Sequence, residues 1–189
     1  LGIEYKSRSK THLMNALNNY LLEQAENDVN VVLVVDEAQN LTPSVLEEVR
    51  MLSNLETETE KLVQIVLIGQ PELRKKLLTP KMEQFAQRIV MYYHLEPLTR
   101  KETEDYIRHR LHIAGNDRMD IFSIHAIDAI YNYSEGVPRL INLASHNALI
   151  SGLVKEASVV TGEIAREAIN ELMHNRSMLN TLKASTKLD

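Results

Sequence analysis

Between residues 10 and 26 the apolar side chains Leu13, Met14, Leu17, Leu21, Leu22 and Ala25 recur at helical spacing with Asn and Glu between them, which predicts an amphipathic helix. A polar break at 27–30 leads into Val31-Val32-Leu33-Val34-Val35. The β-branched content of that run and its lack of alternation predict a strand buried on both faces, as in a parallel sheet. The run ends abruptly in Asp36-Glu37. Thr42 can cap a second helix with Pro43 at its first position, and Val45, Leu46, Val49, Leu52 and Leu55 supply its apolar face. An acidic, solvated loop follows at 56–60, and residues 62–68 are a second β-branched run closed by Gly69. The segment between the two runs is long enough for a right-handed helical crossover, so the unit reads as strand, helix, parallel strand. Short helical stretches at 71–78 and 81–87 precede residues 89–95, a β-prone run bounded by Glu96-Pro97 that predicts a third strand.

Beyond Pro97 the alternation stops and only helical patterns remain, which marks the clearest internal boundary. Thr99 with Glu102 has the spacing of a capping box; Tyr106, Ile107, Leu111 and Ala114 form the stripe, and Gly115 stops the helix. Residues 123–134, 138–157 and 161–175 read as three more helices, the first ending at Gly136 and the last capped by Thr161. Residues 176–189 read as a polar, flexible tail. The fold class is therefore α/β over residues 1–97, followed by an all-helical subdomain over 98–175.

With 25% charged and 44% hydrophobic residues the chain of 189 is of ordinary globular composition. Its formal net charge of -5 lacks the basic excess that phosphate-backbone binding demands, so nucleic acid is not an expected partner. The absence of cysteine removes disulfide scaffolds, thiolate nucleophiles and cysteine zinc sites, and fits a reducing, cytoplasmic setting. The longest apolar run, 31–35, falls far short of the roughly 20 residues of a membrane-spanning helix.

Chemistry concentrates at strand ends. A buried strand that delivers Asp36 and Glu37 at its carboxyl end places two carboxylates where α/β sheets carry ligand chemistry. In a phosphate-transferring site Asp36 would hold magnesium and Glu37 would orient or deprotonate an attacking water. The next strand delivers Gln70 just after Gly69, beside the carboxylates if the strands are parallel neighbours, where its amide would meet a terminal phosphate or the water; otherwise it is a turn residue before Pro71. Arg88 closes a helical stretch, from which it would reach a phosphate on a neighbouring subunit or pair with Glu83. Arg139 follows Pro138 at a helix start and would point toward an anion or simply face solvent. His109 and His112 share a helix face without a third ligand nearby and read as surface residues.

In order and spacing, the carboxylate-ending strand, Gln70, Arg88 and the Gly-Val-Pro-Arg helix start at 136–139 resemble AAA+ ATPases. The stretches VVDEAQNL, LVQIVLIGQPELRKKL, QRIVMYYHLEPL and GVPRLINLASHNAL resemble, more narrowly, the ATPases of the general secretion pathway of the ExeA type, over residues 9–172. The resemblance implies a P-loop NTPase sheet with a helical lid, with Asp36 as Walker B magnesium ligand, Glu37 as catalytic glutamate, Gln70 as sensor 1, Arg88 as arginine finger and Arg139 as sensor 2. It further implies ATP and Mg2+ as cofactors, a homo-oligomer, secretion-complex partners and a parent anchored at the inner membrane. A DNA-associated AAA+ module of the transposition-accessory type is the rival reading.

The phosphate cradle of such enzymes needs Gly-x-x-x-x-Gly-Lys-Ser/Thr, yet none of the glycines at 2, 69, 115, 136, 152 and 162 is followed by lysine. The chain is therefore expected to be the carboxyl-terminal part of a larger ATPase, binding no nucleotide alone, with an incomplete sheet. The resemblance places the missing strand between 62–68 and 89–95. Either 89–95 is expected to collapse into that slot, or the edge of 62–68 to pair with a second copy.

Overall fold

The structure is a computed structural model that describes residues 9–58, 60–116, 118 and 120–185. The chain divides into two compact units, passing from one to the other at Tyr93 and His94.

The first unit runs α1 (Lys10–Glu26), β1 (Val32–Val35), α2 (Pro43–Leu52), β2 (Gln64–Leu67), α3 (Pro71–Leu77) and α4 (Glu83–Ala86), with single 3-10 turns at Ala38–Asn40 and Pro80–Met82. Thr42 caps α2, its hydroxyl oxygen accepting the Val45 N–H, with Pro43 at the first position. Strands β1 and β2 pair in parallel, Val32 opposite Gln64 and Val35 opposite Leu67. Alternate residues point to opposite faces of a strand. Leu33 and Ile65 pack with Leu17, Tyr20, Leu21, Leu62 and Val63, while Val35 and Leu67 pack with Ala38, Leu46, Leu73, Leu77, Met82 and Phe85.

The opposite parity tells against burial on both faces. Val34 is 55% exposed and Val66 is 44% exposed, and Val32 and Ile68 are about as open. The helical cover lies on one side of the sheet, so an uninterrupted valine run marks strand propensity without marking double burial. The third strand expected at 89–95 does not form either. Ile89 packs onto the Leu73–Phe85 cluster, but Val90 is 99% exposed and the segment is irregular. β-prone residues need a neighbouring strand to satisfy their backbone groups. Among the described residues the sheet has two strands, so 89–95 has not entered the slot beside β2 and that edge has no strand partner among them.

The second unit is helical: α5 (Arg100–Ile113), α6 (Ile124–Ser134), α7 (Pro138–Val154) and α8 (Gly162–Ser185). Thr99 and Glu102 form a full capping box on α5: the Thr99 hydroxyl oxygen accepts the Glu102 N–H, and Glu102 Oε2 accepts the Thr99 N–H at 2.8 Å. Ser123 caps α6 and Thr161 caps α8 through their hydroxyl oxygens. Ile107, Ile127, Ile130, Ile141 and Ile164 interlock around Ala144, Ala148, Ala165 and Ala168, the small residues permitting close helix approach. Helix α8 continues past Asn175 to Ser185, through residues whose polarity reads as a tail. Residues 163–185 contain neither Gly nor Pro, so nothing in the chain ends the helix at 175.

Candidate functional site

Because β1 and β2 are parallel and in register, the turns that leave them lie at the same end of the sheet. The first turn begins with Asp36, whose Oδ1 accepts the Glu37 N–H at 2.7 Å. Glu37 holds φ at +52°, a left-handed conformation that a side chain with a Cβ rarely adopts and that is often found where geometry serves function. The turn is tied across to the second strand, the Ala38 N–H donating to the Ile68 carbonyl at 2.9 Å. Gln70 follows Gly69 and stands immediately before Pro71, the first residue of α3.

The side chain that joins the two turns is Gln39. Its Nε2 donates to Glu37 Oε2 at 2.6 Å, and its Oε1 accepts the Gln70 N–H at 3.1 Å. Gly69 leaves room for this amide, since a Cβ there would lie 2.8 Å from Gln39 Oε1. From α3, Lys76 reaches back and donates through Nζ to the carbonyls of Gln39 and Leu41, the latter at 2.6 Å. An ammonium that spends its donors on two main-chain carbonyls clamps the loop.

Of the residues singled out by sequence, Asp36, Glu37 and Gln70 are brought together at this sheet end and are exposed. Arg88 follows α4 in the same unit, its N–H donating to the Phe85 carbonyl at 2.9 Å. Among the described residues no carboxylate pairs with it, Glu83 included, and no hydrogen bond links it to Asp36, Glu37 or Gln70. Its charge acts on Glu56, whose carboxyl is held below the usual range chiefly by the hydrogen bond and charge of Lys61, with a smaller pull from Arg88. Arg139 belongs to the helical unit, exposed at the second position of α7. Its helix start depends on Gly136, at φ +78°, whose carbonyl accepts the Leu98 N–H at 2.9 Å. Gln39 was not among the residues singled out by sequence, and Lys76 lies in the basic run Arg74-Lys75-Lys76, which reads as a solvated helix face; the loop carbonyls hold its ammonium instead. The available signal was an amide two residues beyond Glu37, facing a glycine at the next strand end.

A family model described as AAA domain matches residues 1–77. General secretion pathway protein A from Aeromonas hydrophila is 43% identical over 157 residues, which are 82% of this chain and 28% of that protein. Residues 1–77 thus match the AAA domain family, and most of the chain resembles that secretion-pathway protein. Solved structures of the same fold include Cdc6p from Pyrobaculum aerophilum, with a TM-score of 0.62 at 19% identity over 89% of this chain and 46% of that one. The Aeropyrum pernix ORC2 protein in its ADP form gives 0.62 at 14% identity, over 90% and 46%. A mutant of RuvB from Thermotoga maritima gives 0.57 at 16% identity, over 80% and 49%. At these identities the likeness carries the fold, a P-loop NTPase sheet with helices followed by a helical part. The chain spans 28% of the length of its secretion-pathway relative, and the strand-end turns and the helical unit both fall within that part.

Proposed function

We propose that this chain carries the hydrolytic strand ends and the helical lid of an AAA ATPase that works in general secretion. The observation that carries the reading is the delivery of Asp36, Glu37 and Gln70 to one end of a parallel strand pair. The donor chemistry fits magnesium: Asp36 offers hard carboxylate oxygen at an exposed strand end, and only its Oδ1 is engaged by a backbone N–H. Magnesium, when bound, supplies charge neutralisation between the phosphates. Glu37, with Oε2 held by Gln39, presents its other oxygen to accept a proton from water or to orient it. Gln70 carries a neutral amide donor at the neighbouring strand end, suited to the oxygen of a terminal phosphate. Arg88 serves as a guanidinium offered to a neighbouring subunit, and Arg139, at a helix amino end, as an anion contact that links nucleotide to lid.

Capture of the nucleotide is assigned to sequence outside these 189 residues, because no glycine here is followed by lysine and the backbone cradle for β and γ phosphates is not encoded. The work done with the hydrolysis energy is assembly of a secretion complex, supported by the relative that shares 43% identity. No helix among the described residues is long and apolar enough to cross a membrane. The test is Glu37→Gln in the protein extended to include a phosphate-binding loop. ATP binding is retained and hydrolysis falls by about a hundredfold or more, as removal of a water-orienting carboxylate requires. Unchanged hydrolysis overturns the reading.

A further inference from the structure

Glu37 is an exposed carboxylate on a left-handed residue, and such a side chain is free to sample many rotamers unless something holds it. What holds it is the Gln39 amide, which uses its donor end on Glu37 and its acceptor end on the backbone of Gln70. Both ends of one planar group are thus committed across two turns that lie 31 residues apart in sequence. The scaffold behind the amide is fixed as well: Lys76 clamps the Gln39 and Leu41 carbonyls, and Gly69 keeps the space for Oε1 free of side-chain atoms.

We propose that Gln39 is a positioning residue that aims the Glu37 carboxylate and couples it to the backbone of Gln70, so that movement of the second turn toward a phosphate re-aims the first. The proposal rests on the ATPase reading above for its consequence in catalysis, but its geometry belongs to the chain alone. An amide is well suited to the task because its donor and acceptor sit on one rigid plane. Alanine removes both links, and glutamate removes the donor and sets a like charge beside Glu37.

Two measurements test it. In amide-resolved NMR spectra of the 189-residue chain, Glu37→Ala shifts the Gln39 side-chain amide and the Gln70 backbone amide, and Gln39→Ala shifts the Gln70 backbone amide. Resonances that stay in place in both variants overturn the bridge. In the protein extended to include a phosphate-binding loop, Gln39→Ala lowers kcat by roughly ten- to a hundredfold with the KM for ATP unchanged, as for a misaimed catalytic group. Gly69→Ala, which crowds Gln39 Oε1, gives a smaller loss of the same kind. In the Glu37→Gln background Gln39→Ala adds no further loss. An equal loss in that background means that Gln39 acts otherwise than through Glu37 and overturns the role. Failure of Glu37→Gln itself to slow hydrolysis rejects the ATPase reading and the catalytic role together, whereas an effect of Glu37→Gln with none from Gln39→Ala rejects only this inference.

Discussion

In the helical unit Ile127, Ile130 and Ile141 are almost wholly shielded and interlock with Ala126, Ala144, Ala148 and Ala165, whereas in the α/β unit Val32 and Val34 of β1 and Val66 of β2 stand about half exposed on one sheet face. The first unit in sequence divides its apolar residues between two clusters on the covered side of the sheet, and the second gathers them in one. Buried apolar area is the main source of folding free energy, so the helical unit is the better secured of the two. Asp36, Glu37 and Gln70 all lie in the other. The chemistry proposed above therefore falls to the less protected unit, where the geometry of the strand-end turns depends on local devices such as the Gln39 bridge and the Lys76 clamp more than on packing.

The largest stability effect that separates the units is expected at Gly136. A Cβ at this φ of +78° would stand 1.8 Å from the Leu98 carbonyl oxygen, so Gly136→Ala must adopt a disfavoured backbone conformation and also push apart the Leu98–Gly136 pairing. Strain and overpacking together cost about 4 kcal/mol. Chemical denaturation followed by helical signal checks it, and a loss below about 1 kcal/mol would mean that the turn relaxes freely. Somewhat smaller is Ile130→Ala, at a site with no exposed surface, which costs about 3 kcal/mol and lowers hydrogen-exchange protection in α6, α7 and α8 while leaving β1 amides as they were. Loss of protection in both units alike would join what the structure separates.

Thr99→Ala removes the hydroxyl of the capping box and costs about 1 kcal/mol, read in the same denaturation experiment. The acid limb is smaller and has a definite sign. Hydrogen bonds from Arg108 first, then Arg100, hold the Glu104 carboxyl below its ordinary range, and Arg100 also pairs with Asp128. A carboxyl whose folded value is lowered stabilises the fold at pH values above the ordinary carboxylate range, and that stabilisation is lost as pH falls through the lowered folded value. Wild type should therefore exceed Glu104→Gln in stability at neutral pH, with the difference shrinking as the solution is acidified. A difference that grows with acid would reverse the assigned shift.

Helices were legible where periodicity, caps and stops agree, as in the stripe and capping box of α5, the proline starts of α2 and α7 and the glycine after α6, whereas the end of α8 was not, because polar residues past 175 carry no stop. So was the pairing of strand ends that unites Asp36 with Gln70, since a helical crossover between two β-branched runs implies parallel neighbours. Three further features were not legible. Residues 89–95 have strand composition, but a strand is a property of two segments, and no partner is apparent from the composition of one. The Gln39 bridge depends on the register between segments 31 residues apart, which local spacing does not encode. The open face of β1 was hidden because five consecutive apolar residues carry no parity signal.

That last point yields the smallest and most discriminating expectation. Val34 and Val35 are neighbours of identical chemistry that face opposite ways, Val34 toward the open side and Val35 onto the Ala38–Phe85 cluster. Replacing either by threonine keeps the β-branched shape and strand propensity and changes one methyl to a hydroxyl. On the open side the hydroxyl meets water, so Val34→Thr shifts stability by no more than about 0.5 kcal/mol. On the covered side it loses hydration among apolar neighbours, so Val35→Thr costs about 1 to 2 kcal/mol. Denaturation of the two variants, with exchange of the β1 amides as the local readout, measures the asymmetry. Equal and substantial losses would show that in solution both faces of β1 are covered, as the unbroken valine run suggests by itself, and the contrast between a closed helical unit and an open sheet would then fail at the strand that carries Asp36 and Glu37.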